Sequence, residues 1–378
     1  MIIYYWAPCL NKVGTYKSTM HSAIALAKYS KKNKIRVINS CGEWNEQRDF
    51  FEEHDVELID LGFDYFKYLP KLGFFGSRFS YLIIFITSFI PLLKIILNHR
   101  PDFLIIHLIT SLPLLLNKIF KNKSKIILRI SGYPKLNFVR RFFWKLNGKN
   151  VFKITCPSID LRSQLMDLNI FEKKKIQFLA DPIIRVKEFR EKILNISKQD
   201  LIYKKRYFIS VGRLTRQKNF KYLIEEFKTF SGDNEEIDLL IFGEGEDKNL
   251  LSKLIKKNKL EDRIRLMGYS NNIFQYMKNS QAFILSSLWE DPGFVLIEAA
   301  MCNSFIISSN CKNGPEELLN KGAGGLLFEN NKKGDLAKKL NEFLELGKRK
   351  KKMKLITKKN ILQYTLYRHF QVFMKIIN

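Results

Sequence analysis

The sequence predicts an α/β protein built from two doubly wound domains. Its 378 residues exceed what one hydrophobic core usually supports, so two domains are expected. Short apolar runs alternate with helical patterns along most of the chain, which is typical of βαβ units. A polar, charged stretch at about 186–203 interrupts this alternation. We therefore predict one domain over 1–185 and another over 186–360, with a C-terminal helix at 361–378 packing back on the first.

The first domain begins with a strand at 2–6, a helix near 18–30 and a strand at 35–39, which together form a βαβ unit. Each predicted strand is continuously apolar, as expected when helices cover both faces of a parallel sheet. Further strands are predicted at 56–60, 103–107, 125–130 and 151–156.

The second domain restarts the same alternation with YFISVG at 207–212. Its further strands are predicted at 237–243, 263–268, 282–287 and 304–310, and its helices are centred on 220–230, 247–258, 271–279, 293–302 and 335–346. The final run LYRHFQVFMKI has apolar residues at helical spacing and predicts the closing helix. Open α/β sheets bind ligands at the carboxyl ends of their strands, so two facing domains predict an active site in the cleft between them.

Composition bounds the class of protein. Hydrophobic residues make up 46% and charged residues 27%, which is typical of a chain folded throughout. Cysteines are odd in number, far apart and without CxxC spacing, which argues against a disulfide framework or zinc site and favours a reducing cytoplasm. The cysteines are Cys9, Cys41, Cys156, Cys302 and Cys311. The start MIIYYWAP lacks the pattern of a signal peptide and predicts a strand.

The formal net charge of +28 favours partners that carry phosphate, whether nucleic acid, anionic lipid or a soluble substrate. Richness in Lys, Asn, Ile and Phe, which an AT-rich genome would produce, is an equally good explanation. Residues 1–190 hold 31 Lys and Arg against 15 Asp and Glu, so both halves of the chain are basic. The sequence shows no zinc spacing, recognition helix or RNP-like strand, which disfavours a specific nucleic-acid-binding protein.

Two segments predict contact with a membrane surface. Residues 79–97 are strongly apolar, but Pro91 and Lys94 interrupt them, so we expect a helix partly buried in the first domain or lying at a bilayer surface. Residues 134–153 mix Phe, Trp and Leu with Arg and Lys, a pattern that suits an anionic surface. Core aromatics with solvated cations are the alternative for this segment.

The segment VGRLTRQKNF at 211–220 predicts a phosphate-binding turn. Gly212 permits a tight backbone turn. Arg213 can donate a bidentate pair of hydrogen bonds to phosphate oxygens, and Lys218 adds a positive point charge. Solvated cations on a surface loop are the alternative interpretation.

The segment WEDPGFVLIEAA at 289–300 is more specific. Pro292 suits the first turn of a helix, which would place Glu290 before that helix and Glu298 in its second turn. The backbone amides of 293–295 would then be available to an anion. These amides could bind the diphosphate of a sugar nucleotide, and the carboxylates on either side of them could accept hydrogen bonds from its hydroxyls.

These segments resemble the retaining glycosyltransferases of family 4, which have the GT-B fold of two Rossmann-like, doubly wound domains facing a central cleft. The resemblance includes GRLTRQKN, the GEGED turn at 243–247, Gly268, the Glu-x7-Glu motif in SSLWEDPGFVLIEAA, and NGPEELLNKGAGGLLF at 313–328. It covers most of the C-terminal half.

The resemblance implies a donor site in the second domain. Arg213 and Lys218 would bind the donor diphosphate, Glu290 the hydroxyls of the transferred sugar, and Glu298 the ribose. Gly212 is also implied at the donor. Near the phosphates the resemblance implies Gly293 and the backbone amides of Phe294 and Val295. Near the nucleotide base it implies Gly243, Glu244, Gly268 and Tyr269.

The N-terminal half matches the family less closely. Lys12-Val13-Gly14-Thr15 stands where the family usually has Gly-Gly, and Gly14 is expected near the donor phosphate. His107 ends a predicted strand and is either a catalytic polar residue or a core histidine. Asp181, in FLADPI, replaces the family's Asn and is expected to be structural.

The resemblance also implies an enzyme, a hexosyltransferase that retains anomeric configuration and needs no cofactor or metal. Cations and amides would stabilise the leaving diphosphate, whose oxygen can take the acceptor proton. The expected donor is a UDP-hexose or UDP-N-acetylhexosamine, and the expected acceptor a glycan linked to polyprenyl diphosphate. The setting would be O-antigen or capsule assembly in the cytoplasm, at the inner face of the membrane. A GT-B-fold nucleotide-sugar epimerase, or a phosphorylase with a pyridoxal lysine and a much longer chain, are the alternatives.

Overall fold

The computed structural model describes residues 1–11, 14–71, 74–134, 136–194, 203–271 and 273–378. The chain forms two compact units. The first contains Met1–Ile183 and Tyr364–Asn378, and the second contains Ile184–Gln363.

Thirteen strands occur in the described residues. The first unit contains β1 (Ile2–Trp6), β2 (Lys34–Asn39), β3 (Val56–Asp60), β4 (Phe103–Ile106), β5 (Lys125–Arg129), β6 (Lys153–Cys156) and β7 (Ile176–Phe178). The second contains β8 (Arg206–Val211), β9 (Ile237–Phe242), β10 (Ile264–Gly268), β11 (Phe283–Leu285), β12 (Ile306–Ser309) and β13 (Leu326–Phe328).

Helices connect and cover these strands. Those of the first unit are α1 (Gly14–Tyr29), α2 (Arg48–Glu52), α3 (Phe74–His99), α4 (Ser111–Phe120), α5 (Phe138–Gly148) and α6 (Ile159–Asp167). Those of the second are α7 (Val186–Leu194), α8 (Phe220–Ser231), α9 (Lys248–Lys257), α10 (Ile273–Asn279), α11 (Phe294–Met301), α12 (Pro315–Leu318), α13 (Asp335–Glu345) and α14 (Arg349–Asn360). The chain ends with α15 (Leu366–Ile377), which packs on α1 in the first unit.

The first unit is a seven-stranded, fully parallel sheet in the order β3-β2-β1-β4-β5-β6-β7. Alternate residues of β1 face opposite cores. Tyr4 and Trp6 join the core beneath α3 to α6, whereas Ile3 and Tyr5 join the core beneath α1 and α15. Because both faces are covered, the central strands β1 and β4 are apolar throughout, as the sequence predicted, whereas the edge strand β3 exposes Glu57 and Asp60.

The second unit is a six-stranded parallel sheet in the order β10-β9-β8-β11-β12-β13. Its larger core lies between one face and α8, α9 and α13, around Phe208, Phe230 and Phe343. The fold class predicted from the sequence is therefore confirmed. β7 and β13, each three residues long, were missed because the lysines before β7 and the glycines before β13 leave too short an apolar run to predict a strand.

Among the residues that the structure describes, α3 is the one helix long and apolar enough to cross a membrane by length and composition. Ile84, Leu92 and Ile96 lie on its inner face and belong to the core of the first unit. Only 28% of its most apolar 18-residue window is buried, so an apolar row is left on its outer face.

Candidate active site

The loop after β8 is fixed to the loop after β11 by backbone and side-chain hydrogen bonds. The backbone N–H of Leu288 donates to the carbonyl of Gln217 at 2.8 Å, and the hydroxyl of Ser286 donates to the carbonyl of Lys218 at 2.8 Å. The amide of Gln217 donates to the carbonyl of Trp289 at 2.9 Å. Both predicted motifs are therefore adjacent at the carboxyl edge of the second sheet.

A buried ion pair joins the two motifs. Lys218 Nζ lies 2.6 Å from Glu290 Oε1, and the two side chains are only 13% and 6% exposed. The hydroxyl of Ser287 donates to the same carboxylate oxygen at 2.5 Å. These two donors fix the orientation of Glu290 before any ligand binds. Sequence reasoning assigned Lys218 and Glu290 separately and missed Ser287, although it lies only two residues before the WED motif at 289–291.

Glycines bring the loops after β8, β9 and β10 into contact. Gly243 has a φ of +135°, and a Cβ there would lie 1.9 Å from the carbonyl oxygen of Gly212. Its backbone N–H donates to the carbonyl of Gly268 at 2.8 Å, and the N–H of Leu214 donates to the carbonyl of Glu244 at 2.9 Å. No other residue type fits at Gly243, since both the left-handed backbone and the close approach exclude a side chain.

The predicted start of the helix in the second motif is wrong by two residues. Gly293, with a φ of +83°, is the N-cap, and α11 begins at Phe294, so Pro292 lies in the preceding loop rather than in the first turn. Phe294 and Val295 occupy the first turn, whose amides have no acceptor within the helix. Glu298 lies in the second turn and is half-buried.

The loop between β12 and α12 completes this edge, and sequence reasoning gave it no role. Gly314 has a φ of +151°, and a Cβ there would lie 2.2 Å from the carbonyl oxygen of Pro292. The side-chain amide of Asn313 donates to Asp291 Oδ1 at 3.1 Å. The NGPEE sequence was the available signal, because Asn-Gly marks a turn with positive φ.

The remaining predicted donor residues are exposed around this arrangement. Arg213, Glu244 and Tyr269 all face solvent, and Glu244 pairs with Lys248 at 3.1 Å. The edge thus combines an exposed arginine, a buried lysine and a helix amino terminus, which can bind a diphosphate, with an oriented carboxylate that can accept hydroxyl protons.

His107 and Gly14 lie in the first unit, at the carboxyl edge of its own sheet. His107 directly follows β4 and is buried, and its Nδ1 lies 3.4 Å from the hydroxyl of Thr19. Burial, with the nearby charges of Arg129 and His369, lowers the pKa of His107 to about 3. The imidazole is therefore neutral at pH 7. Gly14 begins α1, while Lys12 and Val13 lie outside the described residues.

Asp181 is part of a buried network under α1. Its Oδ1 accepts hydrogen bonds from Arg129 and Ser18, and Arg129 also donates to the carbonyl of Leu179 at 2.7 Å. The side chains of Arg129 and Asp181 are both 3% exposed, so this pair fixes the segment after β7 to the sheet.

Within the described ranges, the structure contains no group of three or more His, Cys, Asp or Glu side chains placed to hold a metal ion.

Comparison with known proteins finds a family match over the C-terminal half of the chain, which contains the candidate donor site. Residues 191–360 match the family model described as glycosyl transferases group 1. Among curated proteins, an uncharacterized glycosyltransferase of Methanocaldococcus jannaschii is 32% identical over 255 residues, which cover 60% of each chain. The N-acetylgalactosamine-N,N'-diacetylbacillosaminyl-diphospho-undecaprenol 4-alpha-N-acetylgalactosaminyltransferase of Campylobacter jejuni is 29% identical over 64% of this chain and 66% of its own. The alignments thus span somewhat less than two-thirds of these two relatives.

Solved structures match over nearly the whole chain. A crystal structure of a glycosyltransferase from Rickettsia africae superposes with a TM-score of 0.75 at 17% identity, covering 99% of this chain and 97% of that one. An Anabaena protein solved in complex with UDP gives a TM-score of 0.73 at 15% identity, covering 100% and 99%. At these identities the likeness establishes the fold, which is GT-B. The matching family model and the two curated relatives are described as glycosyltransferases, and none of them is described as family 4.

Proposed function

We propose that this chain is a retaining GT-B glycosyltransferase that moves a hexose or N-acetylhexosamine from a UDP-sugar to a lipid-linked glycan in surface polysaccharide assembly. The observation that carries the proposal is the fixed group of Lys218, Glu290 and Ser287 beside the amino terminus of α11. It provides a cation, an oriented carboxylate and first-turn amides at one sheet edge, which are the groups that a sugar diphosphate requires.

Each group has a role that follows from its position. Arg213 is exposed and can close on the outer phosphate, whereas Lys218 is already fixed and can share its charge between Glu290 and an inner phosphate oxygen. Glu290 would accept hydrogen bonds from hydroxyls of the transferred sugar. Glu298, in the second turn of α11, would accept from the ribose.

The chemistry is a substitution at the anomeric carbon. The bond from that carbon to the diphosphate oxygen breaks, a bond to the acceptor oxygen forms on the same face, and the acceptor proton passes to the departing phosphate oxygen. Arg213, Lys218 and the amides of Phe294 and Val295 would stabilise the charge that develops on the leaving diphosphate. These groups supply the stabilisation without a metal ion, so we propose a metal-independent reaction.

His107 fits this scheme as a hydrogen-bonding group rather than as a strong base. Its pKa of about 3 keeps the imidazole neutral, and a group with so low a pKa accepts a proton poorly at pH 7. It can still accept a hydrogen bond from, or donate one to, a sugar hydroxyl.

The acceptor class is supported by the relatives and by the surface of the first unit. The Campylobacter jejuni relative and an Escherichia coli relative, a UDP-Gal:alpha-D-GlcNAc-diphosphoundecaprenol alpha-1,3-galactosyltransferase, are both named for acceptors on diphospho-undecaprenol. An amylovoran biosynthesis glycosyltransferase of Erwinia amylovora supports the polysaccharide setting. We propose peripheral attachment to the inner, anionic face of the cell membrane.

A thermal-shift panel tests the donor site. UDP, GDP, ADP and UDP-sugars are added to the wild type, to Arg213→Ala and to Arg206→Ala. Arg206 is a matched control, because it lies at the amino end of β8 while Arg213 follows the carboxyl end. A nucleotide that binds the native state raises Tm, and we expect UDP compounds to do so for the wild type and Arg206→Ala but not for Arg213→Ala.

The panel also separates the rival interpretations. If no nucleotide raises Tm, or if the rise in Tm is equal in all three proteins, the proposed donor site is contradicted. A nucleotide-sugar epimerase would convert the donor with no acceptor present, so turnover of UDP-sugar by the protein alone into an isomer would replace the transferase proposal.

A further inference from the structure

A cavity of about 740 Å³ lies within the first unit, at the carboxyl edge of its sheet. Its walls come from the first half of α3, from the loop between β4 and α4, and from α5. Tyr81, Phe85 and Trp144 contribute apolar surface to the cavity, and His107 also lines it. A volume of this size suits a small organic ligand rather than a few waters.

The polar groups of this cavity are suited to an anion. Arg78 and Arg140 both line it, and none of its lining residues is acidic. The guanidinium of Arg140 lies 4.8 Å from the centre of the Trp144 ring. Desolvation, together with the charge of nearby Arg78, lowers the pKa of Arg140. Two neighbouring cations repel each other, and a bound diphosphate would remove that repulsion while accepting paired hydrogen bonds.

The charge of the surrounding segment is locally one-sided. Residues 65–159 contain 16 Lys and Arg and a single acidic residue, Asp102. The rest of residues 1–190 contains 15 basic and 14 acidic residues, so this segment carries nearly all the net charge of that half. A uniform compositional bias toward Lys would make the rest of residues 1–190 equally basic, but there the basic and acidic residues nearly cancel. The concentration of positive charge in residues 65–159 therefore favours an anionic partner at this segment.

The rim of the cavity is exposed and apolar. Large apolar side chains on the outer face of α3 and on α5 are left in solvent, and Leu82 and Val139 belong both to these rows and to the cavity wall. The rows are Phe75, Phe79, Leu82, Ile86, Ile90 and Leu97 on α3, and Phe138, Val139, Phe142 and Leu146 on α5. Apolar rows interspersed with cations are the pattern of a surface seated in an anionic bilayer.

We infer that this cavity binds the diphosphate and the first isoprene units of a membrane-borne polyprenyl diphosphate, with Arg78 and Arg140 on the diphosphate and the exposed rows of α3 and α5 in the bilayer. The inference rests on the proposed function and adds to it the place where the acceptor is held. The glycan beyond the diphosphate would extend toward His107, which lines the same cavity.

The combination of features selects this ligand over simpler anions. Free phosphate would use the arginines but not the apolar wall of Tyr81 and Phe85. An ordinary anionic headgroup would be attracted by the charge, but its single phosphodiester carries less negative charge and fewer non-bridging oxygens than a diphosphate offers to two arginines. An isoprenoid diphosphate uses both the cations and the wall, and its remaining tail continues into the bilayer that the rim contacts.

Flotation with vesicles tests the inference without nucleotide or turnover. Three vesicle types are compared: phosphatidylcholine alone, phosphatidylcholine with phosphatidylglycerol, and phosphatidylcholine with undecaprenyl diphosphate at the same total negative charge. The proteins are the wild type, the double variant Arg78→Gln with Arg140→Gln, and the control Lys118→Gln with Lys121→Gln. The control removes the same charge from the end of α4, at a separate hollow lined by lysines.

The wild type and the control should bind the undecaprenyl diphosphate vesicles most tightly, and inorganic diphosphate should compete. The arginine variant should lose about ten- to hundredfold in affinity for those vesicles, the effect of one lost charge-assisted hydrogen bond or more. Its binding to phosphatidylglycerol vesicles should fall no further than that of the control. Phe138→Ser with Phe142→Ser should weaken binding to every vesicle type.

Equal binding to phosphatidylglycerol and undecaprenyl diphosphate, or equal losses in the arginine variant and the control, would overturn the inference and leave only general attraction by charge. These outcomes are independent of the donor site. A protein that keeps its UDP-induced rise in Tm but shows no preference for undecaprenyl diphosphate refutes the acceptor cavity alone, whereas the reverse result refutes the proposed donor site alone.

Discussion

The pair of Lys218 and Glu290 is expected to stabilise the second unit measurably as well as to bind donor. The two charged atoms lie 2.6 Å apart, and the side chains are 13% and 6% exposed. Removing one partner of a buried pair leaves the other charge without compensation and costs about 3–5 kcal/mol. Because Ser287 still donates to the Glu290 carboxylate when the lysine is removed, we expect Lys218→Met to lower the free energy of unfolding by an amount near the lower limit, about 3 kcal/mol.

Glu290→Gln should cost less, about 2 kcal/mol, because the charge left behind, that of Lys218, is the more exposed of the two and the amide oxygen can still accept from Lys218 and Ser287. The double variant should cost less than the sum of the two single variants, since neither charge then remains buried. The expected coupling is about 2 kcal/mol, within the range for residues in direct contact.

The assay is urea denaturation of the four proteins, followed by far-UV circular dichroism, with the free energy extrapolated to water. Lys332→Met and Glu329→Gln provide a matched cycle, because that pair is equally close at 2.7 Å but its side chains are 59% and 67% exposed. Screening by water should leave the exposed pair without measurable coupling. Additive effects in the buried cycle, or equal coupling in the two cycles, would refute the reasoning that burial gives the pair its strength.

Two further predictions concern backbone strain and pH. Gly314→Ala should lower the free energy of unfolding by about 2–3 kcal/mol, because φ is +151° and a Cβ would lie 2.2 Å from the carbonyl oxygen of Pro292. Gly334→Ala is the control in the same urea assay. It should cost about 1 kcal/mol, because φ is +79° but no atom lies near the added Cβ. His107 and His369 have pKa values lowered to about 3 and about 4 from 6.5, so the unfolded chain binds more protons below pH 6.5 and stability falls as pH drops toward 3. His107→Asn should flatten that decline in a Tm series from pH 7 to 4, and an unchanged slope would contradict the buried neutral histidine.

The sequence predicted the second unit's site better than the first unit's. Gly212, Lys218 and Glu290 lie in short motifs whose residue types limit their chemistry, and the structure brings them to one sheet edge. Arg78 and Arg140 are 62 residues apart in segments without a motif. The membrane pattern of these segments was visible in the sequence, but the cavity between them was not.

The sequence alone determined the two parallel sheets and eleven of the thirteen described strands, because continuous apolar runs between amphipathic helices are a local pattern. It also determined the likeness to glycosyltransferases through the Glu-x7-Glu motif. Only the tertiary structure decided that Glu290 pairs with Lys218, 72 residues away, and that Gly314 must lack a side chain beside Pro292. Such contacts depend on how strands are ordered in the sheet and how closely loops approach one another, and neither quantity is encoded in a local period of hydrophobicity.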